Sequence, residues 1–392
     1  MVNEWPWRNI RSLGKVVTGK TPSTRDPQNF GGPYPFITIP DLEGHVYIRD
    51  TARTISERGA ALLNSCLLPA NAVMMSCIAT VGKCGITVEP SFTNQQINSV
   101  ICNNNVEPRY LYYCFRQLKF QLEATGGGGS VYTNVSKSRF SELEVPIPPL
   151  PEQRAIAHIL GALDDKIELN HRMNQTLEAM AQALFKSWFV DFEPFRDQAM
   201  QDSPLGEIPV GWEVRKIGEV LELKYGKGLR EDDRQPGDVP VYGSNGQVGW
   251  HNMSLVKGPG IVVGRKGNPG TVIWVPTDFF PIDTTFFVET KGPIRSMAYL
   301  FHALRSLGLP SLGADSAVPG LNRNMAYMSD ILVPPAKILS GFDSYANAFM
   351  QKIYANEKES RNLTDIRDTL LPKLLSGEIQ VKEAEKSVDM KL

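Results

Sequence analysis

Residues 152–189 read EQRAIAHILGALDDKIELNHRMNQTLEAMAQALFKSWF, and one set of positions recurs in steps of four and three: Ile156, Leu160, Leu163, Ile167, Asn170, Asn174, Leu177, Ala181, Leu184, Trp188. This is the heptad period of a helix that buries one stripe against another helix. Adding 186 to each number gives Phe342, Ala346, Phe349, Ile353, Asn356, Ser360, Leu363, Arg367, Leu370 and Leu374, a second stripe in the same phase with one charged lapse at Arg367. About 40 residues at 1.5 Å each make a helix of roughly 60 Å, too long for one small domain to cover. The two helices are expected to pack on each other.

The polar layer bears on how they pair. An antiparallel pairing about the stripe midpoints sets Asn170 against Ser360 and Asn174 against Asn356. A parallel pairing also matches polar with polar, so spacing leaves the direction open. In either case these four residues are candidates for fixing register, since a buried amide with a polar partner specifies alignment at some cost in stability.

The stripes belong to a larger repeat. Trp7 opens a segment running to Leu13-Gly14-Lys15-Val16, and Trp212 opens one running to Ile217-Gly218-Glu219-Val220. Tyr110-Leu111 recurs as Tyr299-Leu300, and Leu143-Glu144-Val145-Pro146 as Ile331-Leu332-Val333-Pro334. Each half is a globular segment rich in strands and turns, a proline-rich exit (VPIPPLPEQ, VPPAKIL) and a long helix. The expected architecture is α+β: a β-rich α/β domain over 1–150, a long helix and linker over 151–203, a second similar domain over 204–336, and a second long helix and tail over 337–392. Ala72–Met75 and Gly260–Val263 are expected as strands, and Pro108–Leu122 and Ile294–Leu307 as helices.

Composition narrows the function. The chain has 392 residues, 42% hydrophobic, with a net charge of −1, which argues against gripping a polyanion by bulk charge alone. Residues 1–150 carry 14 Lys and Arg against 11 Asp and Glu, whereas 151–203 carry 5 against 9, so a nucleic acid would meet the first segment rather than the first helix. A partner is expected to share that electrostatic work. No run is long and apolar enough to cross a membrane, the start lacks the order of a secretion signal, and a cytoplasmic setting is expected. Five cysteines without a CxxC pair are expected to be reduced, with no metal role.

Most motifs fail their context. Gly14–Thr21 spells GKVVTGKT, matching G-x-x-x-x-G-K-[ST], but a phosphate loop needs a helix straight after it, and Pro22, Pro27, Gly31, Gly32 and Pro33 follow. Asp164-Asp165-Lys166 resembles the end of a nuclease metal site, yet it falls within the seam helix, where a solvated face is expected. The five histidines are scattered without ligand spacing. Neither a G-x-S-x-G elbow nor the asparagine-proline-proline-aromatic tetrad of amino-methylating enzymes occurs. The chain is expected to be non-catalytic.

What remains is a set of polar turns. In the first half, Gly126–Ser130 (GGGGS) is expected as a native loop. It precedes Tyr132, Asn134, Ser136 and Lys137, which with Lys20, Thr21, Ser23 and Arg25 are candidates for contacting phosphates and base edges. The second half offers Lys224, Lys227, Arg230, the turn with Tyr242, Ser244, Asn245 and Gln247, the turn with Arg265, Lys266 and Asn268, and Asn322 with Arg323. Arg, Lys, Asn and Gln are the side chains whose geometry reads base edges.

The order of domain, helix, domain, helix, with VPIPPLPEQRAIAHILGALDDKIELN, LFKSWFVDFEPF, YGSNGQVGWHN, VVGRKGNPGTV and the closing IRDTLLPKLLSGEI, resembles the specificity subunit of type I restriction-modification systems over essentially the whole chain. The resemblance implies two target-recognition domains, each reading half of a bipartite DNA site, in an internal pseudo-twofold repeat. It implies helices that form an antiparallel coiled coil and dock two modification subunits, which hold S-adenosylmethionine, with restriction subunits joining the full complex. The second exit, VPPAKILSGF, lacks the Pro151-Glu152-Gln153 triplet, which places the second docking surface in question. Rival expectations are a duplicated coiled-coil scaffold without DNA specificity and, from the GKVVTGKT spelling, a P-loop NTPase.

Overall fold

The computed structural model describes residues 5–78, 80–124, 135–312 and 320–389. The chain forms two compact units: Met1–Asn170 with Glu359–Leu392, and His171–Lys358. Each unit therefore takes part of both long helices, Leu150–Phe189 and Ala336–Ser376.

In the first unit a sheet runs in the order Gly14–Thr18, Ile97–Cys102, Val73–Ser76, Cys84–Thr87, Tyr47–Ile48. Its middle strand Val73–Ser76 is buried throughout because both faces are covered. Val73 and Met75 pack with the tyrosine-rich helix Pro108–Ala124, and Met74 packs with Phe36 and Phe92 on the other side. Alternation of side chains along a strand produces this division. A second sheet follows the order Thr54–Ile55, Phe30–Ile37, Phe92–Thr93, and Trp7–Asn9 pairs antiparallel with Glu144–Pro146.

The second unit repeats this plan. Its main sheet runs Leu221–Tyr225, Thr285–Thr290, Gly260–Gly264, Val272–Val275, its smaller one Gly246–His251, Val239–Gly243, Phe280–Pro281, and Glu213–Lys216 pairs with Asp330–Val333. The helix expected from Ile294 begins at Met297, where Ser296 caps it by accepting from the Tyr299 amide.

Hydrogen bonds correct the register of the repeat. Ile10 N–H donates to Leu143 C=O and Ile217 N–H to Ser329 C=O, while Gly19 N–H donates to Ile97 C=O and Gly226 N–H to Thr285 C=O. Leu143 thus corresponds to Ser329 rather than Ile331. Counting back five residues from Ile10 and Ile217 matches Trp212 with Trp5, not Trp7. Trp212 is 3% exposed among Phe189, Phe192 and Phe195, whereas Trp7 is 54% exposed. Similar spelling misled here because the strand's hydrogen-bond partner, not the tryptophan, sets the register.

The long helices pair antiparallel within each unit. In the first, Asn170 Nδ2 donates to Ser360 Oγ at 3.2 Å and to Glu359 at 2.8 Å. In the second, Asn356 Nδ2 donates to Asn174 Oδ1 at 2.8 Å, and Asn174 Nδ2 reaches the Ile353 carbonyl at 3.4 Å. Towards their outer parts the stripes are buried, as at Ile156, Leu160, Leu163 and Leu374 in the first unit and Ala181, Phe342 and Ala346 in the second. Leu177, Phe349 and Ile353 are only half-buried, since there the helices have chiefly each other for cover.

Two polar positions in the helices are structural. Asp164, expected on a solvated face, is 5% exposed: its carboxylate accepts from Tyr113 Oη at 2.6 Å and from Arg367 Nη1 at 2.6 Å. The charged lapse in the second stripe is therefore the partner of a carboxylate in the first, and neither was legible as a pair because 203 residues separate them. Gly161 makes room for a second clamp. A Cβ there would lie 2.6 Å from the Arg109 guanidinium carbon, and that guanidinium donates to the Gly161 carbonyl and to both Asp165 oxygens.

Gln153 explains the PEQ triplet. It is buried, its Oε1 accepts from the Glu107 amide, and its Nε2 donates to the Asn105 and Pro148 carbonyls. Buried amides survive where every polar atom is paired. The corresponding residue at the start of the second helix is Leu339, buried in apolar surroundings. The triplet's glutamine thus holds a loop of its own unit, and its absence from the second exit is a change of interior packing.

Two outcomes follow. Asn174→Leu with Asn356→Leu should retain the full helical circular-dichroism signal while broadening the melting transition, because a specifying polar contact becomes interchangeable apolar packing. Complete loss of folding would contradict the seam. Asp164→Ala should cost about 3–5 kcal/mol in chemical denaturation by taking the buried carboxylate from Arg367 Nη1 and leaving that guanidinium only the partly exposed Asp368 on its Nε, and adding Arg367→Met should recover part of that loss. Equal stability of Asp164→Ala and the unmodified chain would show that the pair is not buried in solution.

Candidate nucleic-acid interface

The candidate residues of the second unit come from four separate segments that the fold gathers at one end of its main sheet. The strand Leu221–Tyr225 ends there and Gly226 must be glycine, because a Cβ would lie 2.1 Å from the Ile282 carbonyl oxygen. Lys227 N–H donates to Pro281 C=O, Ile282 N–H to Tyr242 C=O, and Arg265 and Lys266 N–H to Thr284 C=O. Thr271 Oγ1 ties the two glycine turns by donating to the Ser244 carbonyl at 2.8 Å. The Leu321 amide donates to the Arg265 carbonyl and brings Asn322 and Arg323 alongside.

These residues do not all face solvent freely. Lys227, Arg230, Asn245, Gln247, Lys266, Asn268 and Asn322 are exposed, but Ser244 is buried and Tyr242 is half-buried, edge-on to Phe279. Lys224 is held at 2.6 Å by Glu289, whose carboxylate raises its pKa. Asn322 caps the helix Arg323–Met328, accepting from the Asn324 and Met325 amides.

One residue of this cluster was not singled out from sequence. Tyr225 is 51% exposed, and the guanidinium carbons of Arg265 and Arg323 both lie over its ring, each 4.9 Å from the centroid. Phe286 backs the ring at 5.0 Å. Arg265 is anchored by donating from Nη1 to the Asp283 backbone carbonyl at 2.8 Å, and Arg323 by a 3.4 Å bond to the Leu223 carbonyl. An aromatic at a strand end before Gly-Lys was the available signal, and it carries no meaning until the two arginines are placed beside it.

The first unit builds the same place from different side chains. Its glycine is Gly19, where a Cβ would meet the Asn94 carbonyl oxygen at 2.2 Å. That close approach accounts for the glycine in the GKVVTGKT spelling. Gly14–Thr18 is a strand, Lys20 and Thr21 follow in an exposed loop, and only the 3-10 turn Pro27–Asn29 precedes the next strand, so no helix N-terminus meets a phosphate there. Thr21 Oγ1 donates to Gln95 Oε1 at 2.7 Å, and Thr18 Oγ1 to Asn98 Oδ1 at 2.6 Å. Gln95 and Asn98 are further polar residues that sequence reasoning passed over.

Ser23 and Arg25 are exposed, and Ser23 presents its carbonyl to Asn29. Ser136 caps the helix Lys137–Glu142, accepting from the Arg139 amide, as Asn322 does in the second unit. Cys77 occupies the position of Arg265: its amide donates to Gln96 C=O, and its carbonyl accepts from Val135. Burial pushes its thiol up to about 11. Tyr132, Asn134 and the GGGGS loop lie outside the described residues, as do 313–317 of the second half.

Comparison with known proteins agrees with this layout. The family model of the type I restriction modification DNA specificity domain matches residues 3–179 and again 209–356. The MjaIX type I restriction enzyme specificity subunit of Methanocaldococcus jannaschii is 28% identical, covering 97% of this chain and 94% of its own. The EcoprrI specificity subunit of Escherichia coli is 23% identical over 93% and 94%. The crystal structure of a type I restriction-modification S subunit from M. genitalium has the same fold, with a TM-score of 0.63, 20% identity, and coverage of 95% and 96%. The scaffold and P-loop expectations have no support in these matches. Two matched domains, both long helices and near-complete coverage place this chain in the family of type I restriction-modification specificity subunits, with two recognition domains.

Proposed function

We propose that each recognition domain reads one half of a bipartite double-stranded DNA site through the loop cluster at the end of its main sheet. The observation that carries this reading is the repeat itself. The same backbone scaffold presents Lys20, Thr21 and Gln95 in one domain and Lys227, Arg265 and Arg323 in the other. A constant scaffold with different side chains suits two domains that read different base sequences, because base contacts specify while phosphate contacts position. The candidate residues named above, apart from the buried Ser244, are the proposed contacts, with Ser136 and Asn322 acting as caps that orient Lys137 and Arg323.

In this reading the chain is not an enzyme. Methyl transfer belongs to two modification subunits that carry S-adenosylmethionine and dock on the helices, and cleavage to restriction subunits in the full complex. The relatives are named as subunits of type I restriction enzymes, which supports such partners. Among the described residues no helix is long and apolar enough to cross a membrane, and the proposed setting is the cytoplasm.

Exchanging residues 1–150 for those of a relative should change one half of the methylated site and leave the other intact, as read by methylation mapping of host DNA. A change in both halves together would overturn independent readout. The purified chain should transfer no methyl groups to DNA until modification subunits are added, and methylation by the chain alone would overturn its non-catalytic role.

A further inference from the structure

We propose that Tyr225, with Arg265 and Arg323 over its ring, is the specificity-determining centre of the second recognition domain, and that Thr18, Asn98, Cys77 and Lys137 hold the corresponding place in the first. This deepens the reading that the domains contact DNA and rests on it. Among the described residues neither guanidinium is in an ion pair, although Arg58, Arg109, Arg116, Arg154, Arg196, Arg215 and Arg367 all are. Asp283 offers Arg265 its backbone carbonyl rather than its carboxylate. Two like charges are therefore held over one ring, each anchored by a backbone carbonyl, without an acidic side chain to neutralise them.

Such an arrangement is suited to an outside acceptor. A stacked guanidinium loses rotamer freedom before binding, so less entropy is lost when it meets a ligand, and its donor fork matches the two acceptors on a guanine major-groove edge. The tyrosine ring aligns the forks and offers a flat apolar surface to a neighbouring base.

The corresponding position in the first domain supports a role in specificity rather than folding. Hydrogen-bond register places Thr18 at Tyr225, Asn98 at Phe286, Cys77 at Arg265 and Lys137 at Arg323. The backbone contacts are the same, yet an aromatic pair flanked by two arginines is replaced by the Thr18–Asn98 hydrogen bond, a buried thiol and a lysine. A centre needed to hold the scaffold would not differ so completely between two domains with one topology. Its chemistry assigns guanine contacts to the second half-site.

The test uses the complex of this chain with its modification subunits, measuring competition binding to duplexes with single base-pair changes across both half-sites. Arg265→Gln and Arg323→Gln should each lose about 5- to 150-fold discrimination at one guanine-containing pair of the second half-site, leaving the first half-site unchanged. Tyr225→Phe should keep discrimination and Tyr225→Ala should blur it at both pairs, with melting temperatures reported to exclude unfolding. Uniform weakening over all sequences, with a shallower salt dependence, would reduce the arginines to phosphate contacts and overturn the proposal. Wild-type discrimination in all variants would overturn it too. If the unmodified complex itself shows no half-site selectivity, the broader DNA-reading assignment fails, and that result is separate from failure of this cluster.

Discussion

A helix of some 40 residues with one apolar stripe cannot hide that stripe by itself, and a second stripe in the same phase lies 186 residues further on. Antiparallel pairing of the two stripes is the constraint on which the rest depends. Asn170 with Ser360 and Asn174 with Asn356 fix the alignment on either side of the stripe centre. Once alignment is fixed, each unit receives one stretch from each helix, and those stretches complete its core. Leu363, Ile366, Leu370 and Leu374 join the core of the first unit, and Phe185 and Phe189 that of the second.

The polar residues that interrupt the stripes serve the same end. Arg367 breaks an apolar pattern, yet it meets Asp164 across the seam, and Tyr113 from the neighbouring domain helix joins them. A buried ion pair adds little net stability over apolar packing. It does discriminate, because any slip in the helix alignment separates Asp164 from Arg367 and leaves the guanidinium only Asp368 of its own helix. The Arg109–Asp165 clamp ties a domain helix to the seam in the same unit, through the gap at Gly161.

Duplication explains the division between constant and variable parts of the domains. Backbone hydrogen bonds recur from one to the other, and the glycines that permit close approach recur with them, as at Gly19 and Gly226. The side chains around those glycines do not. A scaffold that positions loops through main-chain contacts lets its exposed side chains change without cost to the fold, which is the property expected of a pair of domains reading different sequences.

The sequence by itself determined the α+β architecture, the two long helices, the polar layer in their seam and the existence of a repeat. Periodicity and internal similarity are local or self-referential signals, readable without knowing what touches what. It also resembled a known family strongly enough for the two-domain plan to be expected. Only the tertiary structure decided the direction of the helix pair, the true register of the repeat, and the interior roles of Asp164 and Gln153. It likewise decided that Arg265 and Arg323 both lie over the Tyr225 ring. These depend on partners up to 203 residues away in the chain, where a side chain's meaning comes from the charge, hydrogen bond or ring it meets and not from its neighbours in the chain.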